Sequence, residues 1–439
     1  MFEPLYTAEE ARLAEEGHDV AELMGRAGAA VAREVLQRFP DASRIAVVCG
    51  GGSNGGDGRV AARILREEGR EAVETEAVEQ ADVIVDALFG TGFRGEPRPD
   101  ASALIARMNA AGPPLVSVDV PSGVDASTGE IAGAAVRAAL TVTFHGRKVG
   151  LAVAPGLFHA GEIVVADIGL AQLETQTRLV TPAILSLVPR KRPEDNKYSA
   201  GAVLVVGGAP GLTGAACLAA QAAFRADAGH VAVAVPERSL PVLESQLLEP
   251  VKVTWAEASE AAAKARALAL GPGLGRSDEA KALRDGLLAG GGYAAVLDAD
   301  ALHELEPGDW GPRAVLTPHA GELARLLGEE SEWVDAHRLE AAHRAAKRFD
   351  CVCLLKGADT IVAAPGAETL VCVADAPGLA TAGTGDVLTG IVAAFLAKGV
   401  EPRLAAAAAA TAHALAARRL PQAGMIASDV IAALPSVLA

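Results

Sequence analysis

RIAVVCG, residues Arg44–Gly50, runs directly into GGSNGGDG, residues Gly51–Gly58, and this junction decides the fold. A short apolar, β-branched run reads as a buried strand. The glycines after it read as a turn into a helix, expected from about Gly58 to Gly69. Upstream, Asp19 has the character of an N-cap for a helix through Phe39. Downstream, further strands are expected at Asp82–Leu88, Leu115–Val120, Leu140–Phe144 and Glu162–Gly169. Strands separated by helical stretches predict parallel βαβ units with right-handed crossovers, hence α/β layers.

The rhythm lapses after about Ala171, where Pro182, Pro189 and Pro193 punctuate the chain. It resumes with AVLVVGG (Ala202–Gly208), a helix Thr213–Asp227, and the runs HVAVAVP, ALALGPG, AVLDAD, RAVLTP and CVCLLKG. A hairpin follows from Thr360 to Val373, and helix is expected from Asp386 onward. The expected organisation is a domain at 1–175, a linker at 176–193 and a domain at 194–439, each a three-layer α/β/α sandwich. The length of 439 residues suits two domains, because a single core rarely grows so large.

Net charge is −16, which argues against a general nucleic-acid binder, since phosphate backbones are held by clustered Lys and Arg. A nucleotide substrate stays open, because backbone N–H groups can hold a few phosphates. Cys49, Cys217, Cys351, Cys353 and Cys372 show no CxxC spacing and read as reduced buried thiols. The acidic N-terminus lacks the apolar core of a signal peptide, and no stretch has the uncharged length of a membrane helix. The expectation is a cytoplasmic protein with no membrane or nucleic-acid partner, assembling as a homo-oligomer.

Asn54 and Asp57 stand within the glycine-rich stretch, which a mere tight connection would not require. A ligand loop is therefore favoured over a flexible turn. Asp86 and Asp119 end two further strands. Parallel strands carry their loops to one edge, so Asn54, Asp86 and Asp119 can converge with Ser122 into an oxygen-rich site for a hard cation. One such Asp alone would be better read as a cap; three in register tilt the reading toward a site.

LMGRAG (Leu23–Gly28), GGGSNGGDG, DALFGTGFRG, DVPSGVD and TFHGRKVG (Thr143–Gly150) together resemble the NAD(P)H-hydrate epimerase family over about residues 1–170. The resemblance implies a Rossmann-like domain with a potassium ion held by Asn54, Asp86 and Ser122. The substrate would lie along Ser53, Asn54, Gly55, Gly56 and Asp57 and along Gly90, Thr91, Gly92, Phe93, Arg94, Gly95 and Glu96. Asp119 would stand at the reacting nicotinamide with Lys148 beside it, for acid–base chemistry at C6. Gly25 departs from the family, which leads one to expect glutamate there.

In the second half, ATAGTGDVLTG (Ala380–Gly390) places two glycines and an Asp at a helix start, where free N–H groups and the helix dipole make an anion hole. Asp386 could accept a hydroxyl proton during phosphoryl transfer. The motif resembles the ribokinase-like superfamily, and GTGD alone leaves a small-molecule kinase open. GGAPGLTGAA (Gly207–Ala216), LGPGLG (Leu270–Gly275), TPHAGE (Thr317–Glu322) and KGADT (Lys356–Thr360) narrow the resemblance to the ADP- or ATP-dependent NAD(P)H-hydrate dehydratase family, from about Arg192 onward. It implies a hydrate site at Ala215, Gly273, His319 and Asp386. It also implies an adenine-nucleotide site at Lys356, Gly357, Ala358, Asp359, Thr360 and Gly385, with Mg2+ bridging phosphates. For His319 the residues themselves weigh a structural role and a ligand contact evenly. Asp227 stands where glycine is expected and Asn196 where histidine is. The rival from another class is a non-catalytic N-terminal scaffold, against which Asn54, Asp86, Asp119 and Ser122 all speak. The combined expectation is an epimerase fused to a dehydratase, repairing hydrated NADH and NADPH.

Overall fold

The computed structural model describes residues 1–438 and contains seventeen strands in two sheets. In chain order they are β1 (Phe2–Leu5), β2 (Arg44–Cys49), β3 (Glu71–Glu74), β4 (Val83–Ala87), β5 (Leu115–Val118), β6 (Leu140–Phe144), β7 (Glu162–Ala166) and β8 (Thr177–Val180). There follow β9 (Ala202–Val206), β10 (His230–Val235), β11 (Val251–Thr254), β12 (Ala267–Leu270), β13 (Ala294–Leu297) and β14 (Ala314–Leu316). The last three are β15 (Val352–Leu355), β16 (Asp359–Ala363) and β17 (Thr369–Val373). The chain divides into two compact units, Pro4–Arg178 with Asp335–His337, and Met1–Glu3 with Leu179–Val334 and Arg338–Ala439.

The first sheet has the order β3-β2-β4-β5-β6-β7, and its pairings are parallel throughout. Successive strands move outward on one side of β2 and then return to its other side. The loops after β2 and β4 therefore part at a topological switch point, the crevice where open α/β sheets bind ligands. The second sheet runs β1-β8-β17-β16-β15-β14-β13-β12-β9-β10-β11, parallel from β11 to β15 and antiparallel across β15-β16-β17. It repeats the device, with its own switch point between β9 and β12.

Two expectations change. The helix after β2 spans Ser53–Glu67, five residues earlier than glycine propensity suggests. Close packing overrides propensity. A Cβ at Gly55 would lie 2.0 Å from the Gly50 carbonyl oxygen, one at Gly58 2.5 Å from Ala87 Cβ, and one at Gly56 2.5 Å from Met24 Cε. Asn54 and Asp57 thus ride on the first turns of a helix pressed onto its strand. The stretch 176–193 also holds β8 and a 3-10 helix, Pro182–Leu187, where no strong periodicity announces them.

The core of the second unit is built largely from alanine. Ala405–Ala409 are fully buried in the helix Pro402–Arg418, and Ala216, Ala219, Ala220, Ala222 and Ala223 in the helix Thr213–Arg225. Against the latter helix lies Thr384–Ala397, so closely that a Cβ at Gly390 would stand 2.2 Å from the Ala219 carbonyl oxygen. This crossing fixes where the GTGD turn emerges.

Candidate functional site

At the first switch point Asp86 is the penultimate residue of β4, its side chain fully buried. It accepts hydrogen bonds from Ser122 Oγ at 2.6 Å, Ser122 N at 2.9 Å, Ser117 Oγ at 2.9 Å and Leu88 N at 3.3 Å. Burial raises its pKa above the ordinary carboxylate range, and these hydrogen bonds oppose the rise. The Phe89 peptide ties the group together: its N–H donates to Ser122 Oγ at 2.8 Å and its carbonyl accepts from Asn54 Nδ2 at 2.8 Å. Asn54, Asp86 and Ser122, expected to share a cation, therefore meet around one peptide. The adjoining loop 90–96 begins against Asn54, since a Cβ at Gly90 would be 3.0 Å from Asn54 Cβ. Phe93 stacks on Phe89 at 4.6 Å, Gly95 takes a left-handed φ of 75°, and Thr91, Gly92, Arg94 and Glu96 lie at or near the surface.

Asp119 follows β5 in a left-handed conformation, φ 66°, which is strained for a residue with a side chain. Its Oδ1 accepts from Lys148 Nζ at 2.5 Å, Thr143 Oγ1 at 2.9 Å and Phe144 N at 3.4 Å. Lys148 is 3% exposed and also donates to the Phe144 carbonyl at 2.9 Å. Asp57 belongs to the same electrostatic cluster. Burial first, then the charges of Asp119 and Glu15, push its pKa up to about 8, and Lys148 pulls against them. Glu15, on the helix Ala8–Glu15, is raised by burial and by Asp119. Sequence reading missed Glu15, which sits in no glycine motif and at no strand end. Gly52 caps the helix Ser53–Glu67 without a side-chain bond, leaving the N–H groups of its first turn to a ligand.

In the second unit Gly383, φ 89°, opens the helix Thr384–Ala397, again without a side-chain cap. Asp386 lies in its first turn. Burial first, then Asp298, push its pKa to about 7; Lys356 pulls it down, while Asp300 and Glu322 raise it further. Asp298, just after β13, bridges Lys356 Nζ at 2.8 Å and Thr389 Oγ1 at 2.7 Å through its two oxygens. Glu322 Oε2 stands 3.7 Å from the same ammonium. A Cβ at Gly385 would be 3.5 Å from Lys356 Nζ and 3.9 Å from Asp298 Oδ2, so the GTGD turn lies directly against this pair. Asp298 and Glu322 went unread as site residues. The signal for Asp298 was present, because LDAD ends a strand in a carboxylate as surely as VIVDA does.

Other expected residues have more structural duties. His319 caps the helix Ala320–Leu327, its Nδ1 accepting from Gly321 N at 3.1 Å, while 57% of its side chain stays exposed. Asp359 is spent internally, its carboxylate 1% exposed and 2.9 Å from Arg338 Nε. Thr360 Oγ1 donates to the Gly357 carbonyl at 3.0 Å. Lys356 and the exposed backbone at Gly357 and Ala358 are what that loop presents to a ligand. Gly273, φ 61°, passes so close to Leu212 that a Cβ would meet its carbonyl oxygen at 2.3 Å. Ala215 is in the adjoining first turn, at the β9–β12 switch point. Among the departures, Asp227 takes a left-handed φ of 71° beyond a helix end, a position Asp tolerates, and bridges Lys191 and Lys398 at 2.9 and 2.8 Å. Asn196 turns the chain by accepting from Tyr198 N at 2.9 Å and Ser199 N at 3.1 Å. Gly25 has open space beside it, so a glutamate would fit there.

Each unit thus carries a strand-end or helix-start carboxylate in the electrostatic company of a lysine, beside a switch point: the layout of a two-centre α/β enzyme. Comparison with known proteins narrows the class. A family profile described as YjeF-related protein N-terminus matches residues 20–76 and 70–150, and one described as NAD(P)H-hydrate dehydratase matches 203–435. The bifunctional NAD(P)H-hydrate repair enzyme of Moorella thermoacetica is 38% identical, covering 95% of this chain and 92% of its own length. That of Escherichia coli is 35% identical, covering 96% and 90%. A solved structure of the ADP/ATP-dependent NAD(P)H-hydrate dehydratase of Bacillus subtilis, co-crystallised with ATP and Mg2+, is 29% identical over 58% of this chain and 96% of its own, with a TM-score of 0.55. The chain belongs to the family of bifunctional NAD(P)H-hydrate repair enzymes, with an epimerase unit followed by a dehydratase unit. That membership sets aside the small-molecule kinase and the non-catalytic scaffold. Among the described residues, no helix is long and apolar enough to cross a membrane, and none of the five cysteines is in a disulfide.

Proposed function

We propose that Asp119 with Lys148 inverts C6 of hydrated NADH and NADPH, and that Asp386 drives nucleotide-dependent dehydration of the S hydrate. In the epimerase the Lys148–Asp119 pair exchanges the proton that leaves and returns with the C6 oxygen, and Asp57, raised to about 8, is a second proton carrier within the cluster. In the dehydratase Asp386 takes the C6 hydroxyl proton as the oxygen attacks the terminal phosphoryl group of the nucleotide. The C6–O bond then breaks with release of phosphate, C5 loses a proton, and the dihydropyridine is restored. Lys356 and the positive end of the helix that Gly383 opens offset the phosphate charge.

Asp86 supports a monovalent cation at the first site. It is a fully buried carboxylate that forms no ion pair with a basic side chain among the described residues; the Ser122 hydroxyl bonds to it directly, and Asn54 is tied to the same group through the Phe89 carbonyl. Potassium there would supply the missing countercharge. Among the described residues, no group of three or more His, Cys, Asp or Glu is arranged to hold a metal ion. Magnesium would therefore come with the nucleotide phosphates, facing Asp298 and Glu322. Our reading takes ADP as the phosphoryl donor, the cytoplasm as the location and a homo-oligomer as the working form.

The observation that carries the reading is Asp386, half-buried at a helix start in the electrostatic company of Asp298, Asp300 and Glu322, with one lysine to balance them. The test is to incubate the protein with separated R and S hydrates, with ADP, ATP or neither, and to follow recovery of dihydronicotinamide absorbance. Recovery from S alone on the fast phase, from R only after interconversion, and neither without nucleotide is the expected pattern. Nucleotide-independent recovery would refute it.

A further inference from the structure

Beyond the residues assigned so far, the second unit opens a cavity of about 660 Å³ at its switch point. Its walls come from the loops that follow four neighbouring parallel strands: Ala209 after β9, Arg238 after β10, Trp255 after β11, and Leu274 to Ser277 after β12. A cavity of this size admits a nucleotide-sized group rather than a few waters. Trp255 is half-buried and anchored, its indole N–H donating to the Gly207 carbonyl at 3.3 Å, so one end of the ring is fixed. Arg238 is exposed and forms no ion pair among the described residues, whereas the neighbouring Arg276 is held by Asp300 at 3.0 Å.

The wall of the cavity is tied to the dehydratase centre. The Gly275 N–H donates to Asp300 Oδ2 at 2.9 Å, and Asp300 is one of the charges acting on Asp386. The same loop holds the other wall, through Ala209 N to the Gly273 carbonyl at 2.7 Å and Gly208 N to the Pro272 carbonyl at 3.0 Å. At the loop's start, a Cβ on Gly271 would stand 1.8 Å from the Asp298 carbonyl oxygen. One short segment therefore runs from the carboxylate cluster to the cavity wall. The other side of the centre is taken by Lys356 and Gly385, where the phosphoryl donor is placed.

We propose that this cavity receives the adenosine half of the hydrated dinucleotide, its base against Trp255, and that Arg238 takes the 2′-phosphate that distinguishes the NADPH form from the NADH form. The inference rests on the hydrate reading of Asp386. An aromatic face accepts a purine without regard to the ribose phosphate. An unpaired arginine matches a phosphate, whereas the carboxylates Glu237 and Glu279 on the same rim suit ribose hydroxyls.

The test is steady-state dehydration by the full chain with the S hydrates of NADH and NADPH measured separately. Arg238→Ala is expected to raise the KM for NADPH hydrate relative to that for NADH hydrate by about tenfold, the loss of one charge-assisted contact. Trp255→Ala is expected to raise both KM values together, with Trp255→Phe restoring most of the loss. Calorimetry with adenosine 2′,5′-bisphosphate reads the cavity without chemistry, and its binding is expected to weaken in Arg238→Ala. An unchanged KM ratio in Arg238→Ala, or wild-type KM values in Trp255→Ala, would overturn the assignment. Failure of the wild type to dehydrate either hydrate, with bisphosphate binding still dependent on Arg238, would instead refute the hydrate reading, and with it the hydrate as occupant, and leave only Arg238 as the cavity's contact for a 2′-phosphorylated adenosine.

Discussion

The two centres use a carboxylate in opposite ways. Asp119 is locked: a buried lysine lies 2.5 Å away, a threonine and a peptide N–H share the same oxygen, and the backbone is held left-handed to bring them there. Asp386 accepts no hydrogen bond among the described residues; burial first, then the charges of Asp298, Asp300 and Glu322, push its pKa to about 7 against the pull of Lys356. Moving a proton on and off the C6 oxygen needs an acid and a base already paired. Deprotonating a hydroxyl during phosphoryl transfer needs a base whose affinity for the proton is raised toward the working pH. Burial and neighbouring charge together set the role of each carboxylate more than residue type does.

The harshest break is at Asp386. Asp386→Asn keeps the shape and removes the base, so dehydration should fall by roughly 10²–10⁴-fold while interconversion of R and S hydrates continues. Chromatographic separation of the epimers reads the second half; slowed interconversion would mean the centres are not independent. Next is Lys148→Met, which leaves Asp119 without its cation. Interconversion without nucleotide should drop by about 10²-fold, and dehydration of pure S hydrate should persist.

Asp86→Ala removes the acceptor from the Ser117 and Ser122 hydroxyls and two peptide N–H groups at once. Unfolding of the first unit should become easier by about 3 kcal/mol in denaturant titrations, and the response of epimerisation to potassium should vanish. The smallest effect concerns pH. Asp386 must be ionised to act, and a raised pKa means it loses that form as pH falls through about 7, so kcat/KM for dehydration should decline on that acid side. Glu322→Gln removes one of the charges that raise it and keeps the helix cap, so the decline should move to lower pH. An unmoved profile would assign it to another group.

Much of this was legible in the residues, and the losses have physical causes. β6 is read residue for residue, because LTVTF is a β-branched run bounded by clear breaks. The helix from Ser53 is misread at its start, because the six glycines of Gly50–Gly58 suggest a turn until the strand and helix they let touch are known. β1, β3, β8 and β11 are four-residue strands with exposed or half-exposed positions, too short for a period to show. The grouping of Asn54, Asp86 and Ser122 follows from strand ends sharing an edge. The company of Asp57 and Glu15 could not be foreseen, since it depends on how a helix far from the motif folds back over Asp119.

The alanine-built core of the second unit has a consequence for how this protein tolerates change. An alanine side chain has no rotamers to lose on burial, so the helix Pro402–Arg418 is packed at little cost in side-chain entropy. Truncation has almost nothing to remove there, and the usual hollowing route to damage is closed. Enlargement is the exposed direction. An extra pair of methyl groups at Ala407 or a methyl at Gly390 has no void to enter, and the strain passes between helices as a rigid shift. Sequence drift in this core is thus bounded from above in volume, and the first casualty of overfilling is the placement of the GTGD turn before the fold itself.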